Sequence, residues 1–314
     1  MKPAWILVSL IAVVANGWCR TWTLNDGRKV EAEFVSTSVL TVTLKRTTDG
    51  QAFTLPLVTL SPEDQAWIKT AAVSSKPAAP TTFGVSGAKP IEGPFASLIT
   101  GDWALSEYRG LPFALYASKD LTAAQKYPLV VVLHGKSQNN ENGKQVGGFM
   151  KSFAKPENYA TRPCIILAPL CYQPFGGTGG GWSDKPGEQT IALVKELIKS
   201  LPVDKARVYC VGHSMGGFGT CHLINQEPHL FAAGVAVSGC TGPQTASTFK
   251  KVPLWVFHAA DDATGPVGSS RDLAKALKRE KDFHYTEYPT GGHGIAGKVF
   301  EDAALHEWLF SQRR

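Results

Sequence analysis

Gly212-His213-Ser214-Met215-Gly216-Gly217 carries the most specific chemistry in this 314-residue chain. It has the form G-x-S-x-G, follows the apolar run Arg207–Val211 and opens a helix-like stretch, FGTCHLINQ. A serine on such a strand-to-helix turn lifts its hydroxyl above a sheet. Glycines beside it let neighbouring backbone pass closely. The serine oxygen attacks a carbonyl carbon only if a base takes its proton. Of the eight histidines, His293 lies in a glycine loop, PTGGHG, between a strand-like segment and the last helical one. His284, which begins the strand-like HYTEY, is the alternative. The third member must hold the imidazole in one tautomer and stabilise its positive charge. Asp261 and Asp262 follow the strand-like Leu254–Phe257; Asp262 is the expected partner and Asp261 a solvated turn residue. The developing oxyanion needs two backbone N–H donors. Met215, directly after the serine, supplies one. Lys136, in the loop His134-Gly135-Lys136-Ser137 after LVVVL, supplies the other through its N–H, and His134 is structural.

These loops need a scaffold. From Phe95 onward, strand-like and helix-like segments alternate. Trp103–Glu107 and Leu111–Ser118 suggest a hairpin about Arg109-Gly110. Leu129–Leu133 and Cys164–Leu167 are continuous apolar runs, as expected of strands buried on both faces. Ala233–Val237 and Leu254–Phe257 are further strands. Thr190–Leu201, Leu273–Leu277 and Val299–Leu309 read as helices, the last as one element. Such alternation predicts an α/β fold, a mainly parallel sheet flanked by helices. Only Gly239–Lys251 separates two of its strands after the serine helix, too little for a large lid.

The chain before Phe95 differs. Residues 1–19 read as an export signal: Lys2, an uncharged apolar run from Ala4 to Val14, then small residues, with cleavage expected between Ala15 and Cys19. The run is too short for a stable membrane span, which takes about 20 apolar residues. The protein is therefore expected to be secreted or periplasmic. Residues 20–72 form a small β-rich module. Val30, Ala32 and Phe34 alternate with Lys29, Glu31 and Glu33, and Val42 and Leu44 repeat the pattern. Ser61-Pro62-Glu63-Asp64 opens a helix. Residues 73–94, rich in Pro, Ala, Ser and Thr, read as a linker to a domain spanning 95–314.

LHGKSQNN, GHSMGGFGTCHL, HAADDATGPV and TGGHG together resemble secreted α/β-hydrolases of the carboxylesterase, polyhydroxybutyrate depolymerase and feruloyl-esterase-like branch, some of them labelled predicted peptidases. The likeness spans roughly Gly101 to Phe310 and implies an α/β-hydrolase fold and a Ser-His-Asp acyl hydrolase with no cofactor and no metal. Two positions depart from it. Related loops often read HG followed by a glycine and an acid, where this chain has Lys136-Ser137-Gln138, and Ala263 stands where Pro often follows the acid. The first module, with RTWT near its start and LSPEDQAWI near its end, resembles SLA1 homology domain 1. That implies a small SH3-like β-barrel and a peptide or protein partner, though a plain spacer is an equal reading.

The formal charge of +6 is scattered, with no basic cluster, which argues against nucleic acid as partner. Six cysteines are present, with no zinc-like spacing; Cys164 and Cys171 could pair across a loop. The expected activity is hydrolysis of carboxylic esters, on short acyl groups or on a polymer, by an open cleft. Asn139–Asn142 and Gly176–Trp182 are candidate rim loops. Trp182 is a candidate for stacking on a sugar or aromatic acid, with loop anchoring the alternative. A serine peptidase of prolyl-oligopeptidase type uses the same three groups. A catalytically silent binding protein is a third reading.

Overall fold

Apolar runs with both faces covered build the centre of the larger unit. The computed structural model describes residues 19–37, 41–56, 59–74, 90–136, 142–176 and 179–314. The expected export signal before Cys19, most of the linker and residues 139–141 of one rim loop lie outside these. The chain divides into two units, Met1–Val85 and Ser86–Arg314.

In the first unit, β1 (Cys19–Thr23), β2 (Lys29–Thr37), β3 (Thr41–Arg46) and β4 (Ala52–Pro56) pair in order as an antiparallel sheet. Helix α1 (Pro62–Ser74) follows and runs beyond the expected boundary at residue 72. Trp22, Ala32, Val42, Leu44, Leu60 and Ile68 are its core. The period-two faces read from the sequence are therefore the buried ones. Asp64 in the first turn of α1 is buried, pairs with Arg20 at 2.8 Å and accepts the Thr23 N–H at 2.7 Å. One carboxylate thus ties the helix to β1.

In the second unit, β5 (Trp103–Tyr108) and β6 (Leu111–Tyr116) form the expected hairpin. Arg109 and Gly110 both adopt positive φ, 50° and 82°, as a two-residue turn of this kind requires. Then come β7 (Tyr127–Leu133), α2 (Pro156–Tyr159), β8 (Ile165–Pro169), and the two-residue pair β9 (Phe175–Gly176) and β10 (Gly179–Gly180). Helix α3 (Lys185–Ser200), β11 (Val203–His213), α4 (Met215–Gln226), β12 (Ala233–Val237), α5 (Ala246–Phe249) and β13 (Leu254–Ala259) follow. The unit closes with α6 (Gly268–Ala276), β14 (Phe283–Tyr288), α7 (Ala296–Phe300) and α8 (Ala303–Ser311). The sheet order is β14-β13-β12-β11-β7-β8-β6-β5. From β14 to β8 every neighbour is parallel; β6 and β5 pair antiparallel at one edge.

Alternate residues of β7 show how both faces are used. Leu129, Val131 and Leu133 pack in one apolar core with α3 and α4, while Val130 and Val132 pack in the other with α7 and α8. Val299–Leu309 is two helices, not one. The chain breaks at Glu301-Asp302, where the Asp302 carboxylate accepts the Ala304 N–H at 2.9 Å and caps α8. Among the described residues, no helix is long and apolar enough to cross a membrane.

The suggested Cys164–Cys171 pairing is not formed. Both are free thiols, as are Cys210, Cys221 and Cys240, and all five are buried. Cys164 packs in the core with α7 and α8 and Cys171 in the core with α3 and α4, on opposite faces of the sheet. Alkylation of the denatured, unreduced protein followed by peptide mapping should find Cys164 and Cys171 modified singly. A peptide linked between them would contradict this arrangement.

Candidate active site

Of the five consecutive strands β14-β13-β12-β11-β7, four each deliver one part of the site at the same edge of the sheet. Lys136 follows β7, Ser214 follows β11, Asp262 follows β13 and His293 follows β14. Carboxyl ends of parallel strands are where open α/β sheets place their ligands.

Ser214 stands between β11 and α4 with φ 57°, ψ −120°. Its N–H donates to Val237 O at 2.8 Å, and its carbonyl accepts from Gly217 and Phe218 at 2.9 and 3.1 Å. The turn is too tight for side chains at its flanks. A Cβ on Gly212 would lie 2.3 Å from Gly216 O, and one on Gly216 would lie 2.0 Å from Leu133 O. With its own backbone pinned, Ser214 directs its Oγ outward to His293 Nε2, 2.7 Å away. His293 Nδ1 meets Asp262 Oδ2 at 2.8 Å. Because the carboxylate can only accept, Nδ1 carries the proton and Nε2 is free to take another. The three distant side chains therefore meet in the order the sequence predicts.

Asp262 is buried. Burial raises its pKa, but hydrogen bonds from Gly265 N–H, from His293 and from Thr264 N–H outweigh that and hold the carboxyl below its usual range. The two backbone bonds are both 2.9 Å and both go to Oδ1, which leaves Oδ2 for the ring. His258, also buried, lies behind the acid with Nε2 3.4 Å from Oδ2. It donates from Nε2 to Gly265 O at 2.7 Å, so its Nδ1 accepts from the Ser270 hydroxyl at 2.8 Å.

Asp261 is more than the solvated turn residue expected. Although exposed, it accepts the N–H groups of Gly291 and Gly292 at 3.3 and 2.8 Å. It thereby holds the two residues before His293. The His293 carbonyl accepts from His213 Nε2 at 2.7 Å. The glycine loop is thus gripped on both sides of the ring it presents. Neither contact has a linear sequence signal beyond the doubled acid and the histidine beside the serine.

The Lys136 loop is built by His134 and Trp182. His134 Nε2 accepts the Cys171 N–H at 2.9 Å, so its proton is on Nδ1 and donates to Gly135 O at 2.6 Å. That carbonyl belongs to the same planar trans peptide as the Lys136 N–H, which must point the opposite way. Burial pushes the His134 pKa down to about 4 against the contrary effect of the Gly135 bond. Trp182 is 1% exposed, and its Nε1 donates to His134 O at 3.1 Å. It therefore cannot stack on a sugar or aromatic acid: the expected substrate contact is a loop anchor. Met215 is the first residue of α4, where N–H groups have no partner within the helix. Both expected N–H donors thus flank the serine turn.

These loops enclose an open cavity of about 730 Å³, floored by Ser214 and His293 and bordered by Gly135, Lys136, Phe149, Phe175, Phe218 and several glycines. Phe175 and Phe218 pack together, ring centroids 5.7 Å apart, between this space and a smaller one of about 170 Å³ beside Trp182 and His222. Among the described residues no group of His, Cys, Asp or Glu is placed to hold a metal ion. The arrangement can pass a proton from Ser214 to His293 and hold the resulting positive ring beside a fixed negative charge.

The larger unit has the α/β-hydrolase fold. A family model described as the prolyl oligopeptidase family matches residues 179–254. Over 215 residues the chain is 26% identical to the bifunctional acetylxylan esterase/xylanase XynS20E of Neocallimastix patriciarum, covering 66% of this chain and 29% of that protein. It is 24% identical over 234 residues to dipeptidyl aminopeptidase BIII of Pseudoxanthomonas mexicana, covering 61% of this chain and 34% of that one. Among solved structures it resembles a thermostable esterase, with 32% identity and a TM-score of 0.61, covering 69% of this chain and 64% of the other. The chain spans less than two thirds of each of these relatives.

Two outcomes are expected from this geometry. Asp262→Ala should lower kcat by about 10³-fold or more, since the ring loses its orienting charge. Asp261→Ala, which frees only the loop, should lower it by about tenfold; equal losses in steady-state assays would refute the division of labour. The second outcome concerns acid. The unfolded chain protonates an ordinary imidazole below about pH 6.5, whereas folded His134 resists protonation to about pH 4. Stability from the neutral ring is thus complete above the higher value and lost as pH falls toward the lower, by up to about 3 kcal/mol. His134→Gln should flatten the urea midpoint against pH over this window, and an unchanged slope would rule the ring out as its source.

Proposed function

We propose that the chain is a serine hydrolase that cleaves carboxylic esters through an acyl-enzyme. The observation that carries this is the unbroken relay of Ser214 Oγ, His293 and Asp262, with contacts of 2.7 and 2.8 Å. Ser214 Oγ attacks the ester carbonyl carbon as its proton passes to His293 Nε2. Asp262 stabilises the imidazolium through Nδ1. The N–H groups of Met215 and Lys136 receive the oxyanion. As the tetrahedral intermediate collapses, the alcohol leaves with the proton from Nε2. Water then repeats the sequence on the acyl-serine and frees the acid.

The cavity favours short acyl groups or esters on a polymer. The segment between β12 and β13 holds only a 3-10 turn, Pro243–Thr245, and the four-residue α5, and so supplies no lid over a long acyl chain. The basic, apolar start of the chain supports export, and its first module supports an SLA1-homology-like accessory unit with a peptide or protein partner.

A second reading, a peptidase, is favoured by the prolyl oligopeptidase family match over residues 179–254. The two differ in the bond broken, so the test pairs substrates. Wild-type protein should hydrolyse p-nitrophenyl acetate, Ser214→Ala should lose at least about 10³-fold, and peptide p-nitroanilides should turn over far more slowly. Faster cleavage of the anilides would favour the peptidase. Equal rates for wild type and Ser214→Ala on every substrate would remove both.

A further inference from the structure

The charges around the cleft are one-sided. Four titratable side chains border the main cavity: Lys136, His134, His213 and His293. Burial lowers the pKa of both His134 and His213 and so disfavours a positive charge on either ring. No Asp or Glu among the described residues borders it. Asp262 is sealed beneath His293 by two backbone N–H groups and the ring, and Asp261 is turned to Gly291 and Gly292. Lys136 is exposed and forms no ion pair among the described residues. It is also close to the reacting centre. Its loop runs over the first turn of α4, where a Cβ on Gly216 would lie 2.0 Å from Leu133 O and 2.9 Å from His134 O. The ammonium rides on a flexible four-carbon stem. Most of the rest of the wall is aromatic rings and glycine backbone, which screen a charge poorly; Ser238 and Thr264 add uncharged hydroxyls.

We infer that Lys136 makes this cleft selective for esters that carry a carboxylate. A cleft with a single sign of charge and low-dielectric walls concentrates ligands of the opposite sign. The ammonium meets the carboxylate at the mouth while the ester carbonyl lies over Ser214. The selectivity rests on the ester-hydrolase function proposed above. The carboxylate can sit on the alcohol or on the acyl side of the ester, and the two sides are separable by experiment.

The measurement is the ratio of kcat/KM for a charged ester to that for its neutral counterpart. On the alcohol side the pair is meta-carboxyphenyl acetate and meta-carbamoylphenyl acetate. On the acyl side it is p-nitrophenyl hydrogen adipate and p-nitrophenyl methyl adipate. In at least one pair the wild-type ratio should be about fivefold at low salt, the Boltzmann factor for one contact pair in water. It should fall toward one as salt approaches about 1 M, where the screening length is near 3 Å. Lys136→Gln should bring the low-salt ratio to near one, and Lys136→Glu should invert it. The ratio is read within each variant, so a general loss of activity does not imitate the effect. Should neither variant fold, the salt dependence of the wild-type ratio decides. If both neutral esters are hydrolysed but both ratios stay at or below one at every salt concentration, the charge selectivity is wrong and the hydrolase stands. If no ester is hydrolysed, both fall.

Discussion

Ser214 is held at φ 57°, a conformation that costs a non-glycine residue about 1–3 kcal/mol and persists only when its surroundings over-determine it. Much of the second unit's architecture can be read as that over-determination. The serine N–H is taken by Val237 at the end of β12, and the serine carbonyl by the first turn of α4. Leu133 O, at the end of β7, closes the other side so tightly that Gly216 can bear no side chain. Three elements from three parts of the chain therefore converge on one peptide. Relaxing the turn would mean separating a central strand from its helix, with two apolar cores attached. The strain is small beside that cost, so the hydroxyl stays where His293 can reach it.

The same edge of the sheet is stitched across its strands. Ser214 N bonds Val237 O, Ser238 N bonds Phe257 O, and Ala260 N bonds Tyr288 O. Each bond joins the residue just beyond one strand to the last residues of the next, at Val237, Phe257 and Tyr288, so the loops leave from a fixed line. Ser238 repeats the positive φ of Ser214, at 50°, one strand further along. Fixed departure points explain why short loops suffice. Asp262 lies three residues past β13, held by the Thr264 and Gly265 N–H groups, and His293 five past β14, after two glycines whose N–H groups bond Asp261.

Much of this was legible in the sequence, because the strongest signals were contextual. G-x-S-x-G between an apolar run and a helical one specifies a turn, and a glycine loop with one histidine before the last helix specifies a presented ring. Period two in Val30–Phe34 and continuous apolar runs in Leu129–Leu133 separated a half-covered sheet from one covered twice. What was missed depends on facing, which sequence does not encode locally. An acid beside the orienting acid looks like a turn residue until Gly291 and Gly292 are seen opposite it. A tryptophan in a glycine-rich loop looks like a platform until His134 O occupies its N–H. Two cysteines seven residues apart look paired until they are seen in different cores on opposite faces of the sheet. The break before α8 did have a signal: Asp302 followed by an apolar helical run is an N-cap, and the longer periodicity concealed it.

The resting geometry also bears on how the site would work. Contacts of 2.7 and 2.8 Å already link the three side chains with the cavity open and, among the described residues, no lid element between β12 and β13. A site that is assembled before substrate arrives need not draw on binding energy to build itself, and its dipoles need not reorient as charge develops. What it lacks is burial of the substrate, so water reaches the mouth and weakens long-range electrostatics there. Two regimes follow within one cleft. At the floor, where Asp262 is sealed by backbone and ring, charge is held in place and acts at full strength. At the rim, where Lys136 stands in solvent, charge acts on encounter and is screened by ions. Under the proposed function, the chemistry would belong to the first regime and the choice among esters to the second, which would separate how fast a bond is broken from which bond is presented.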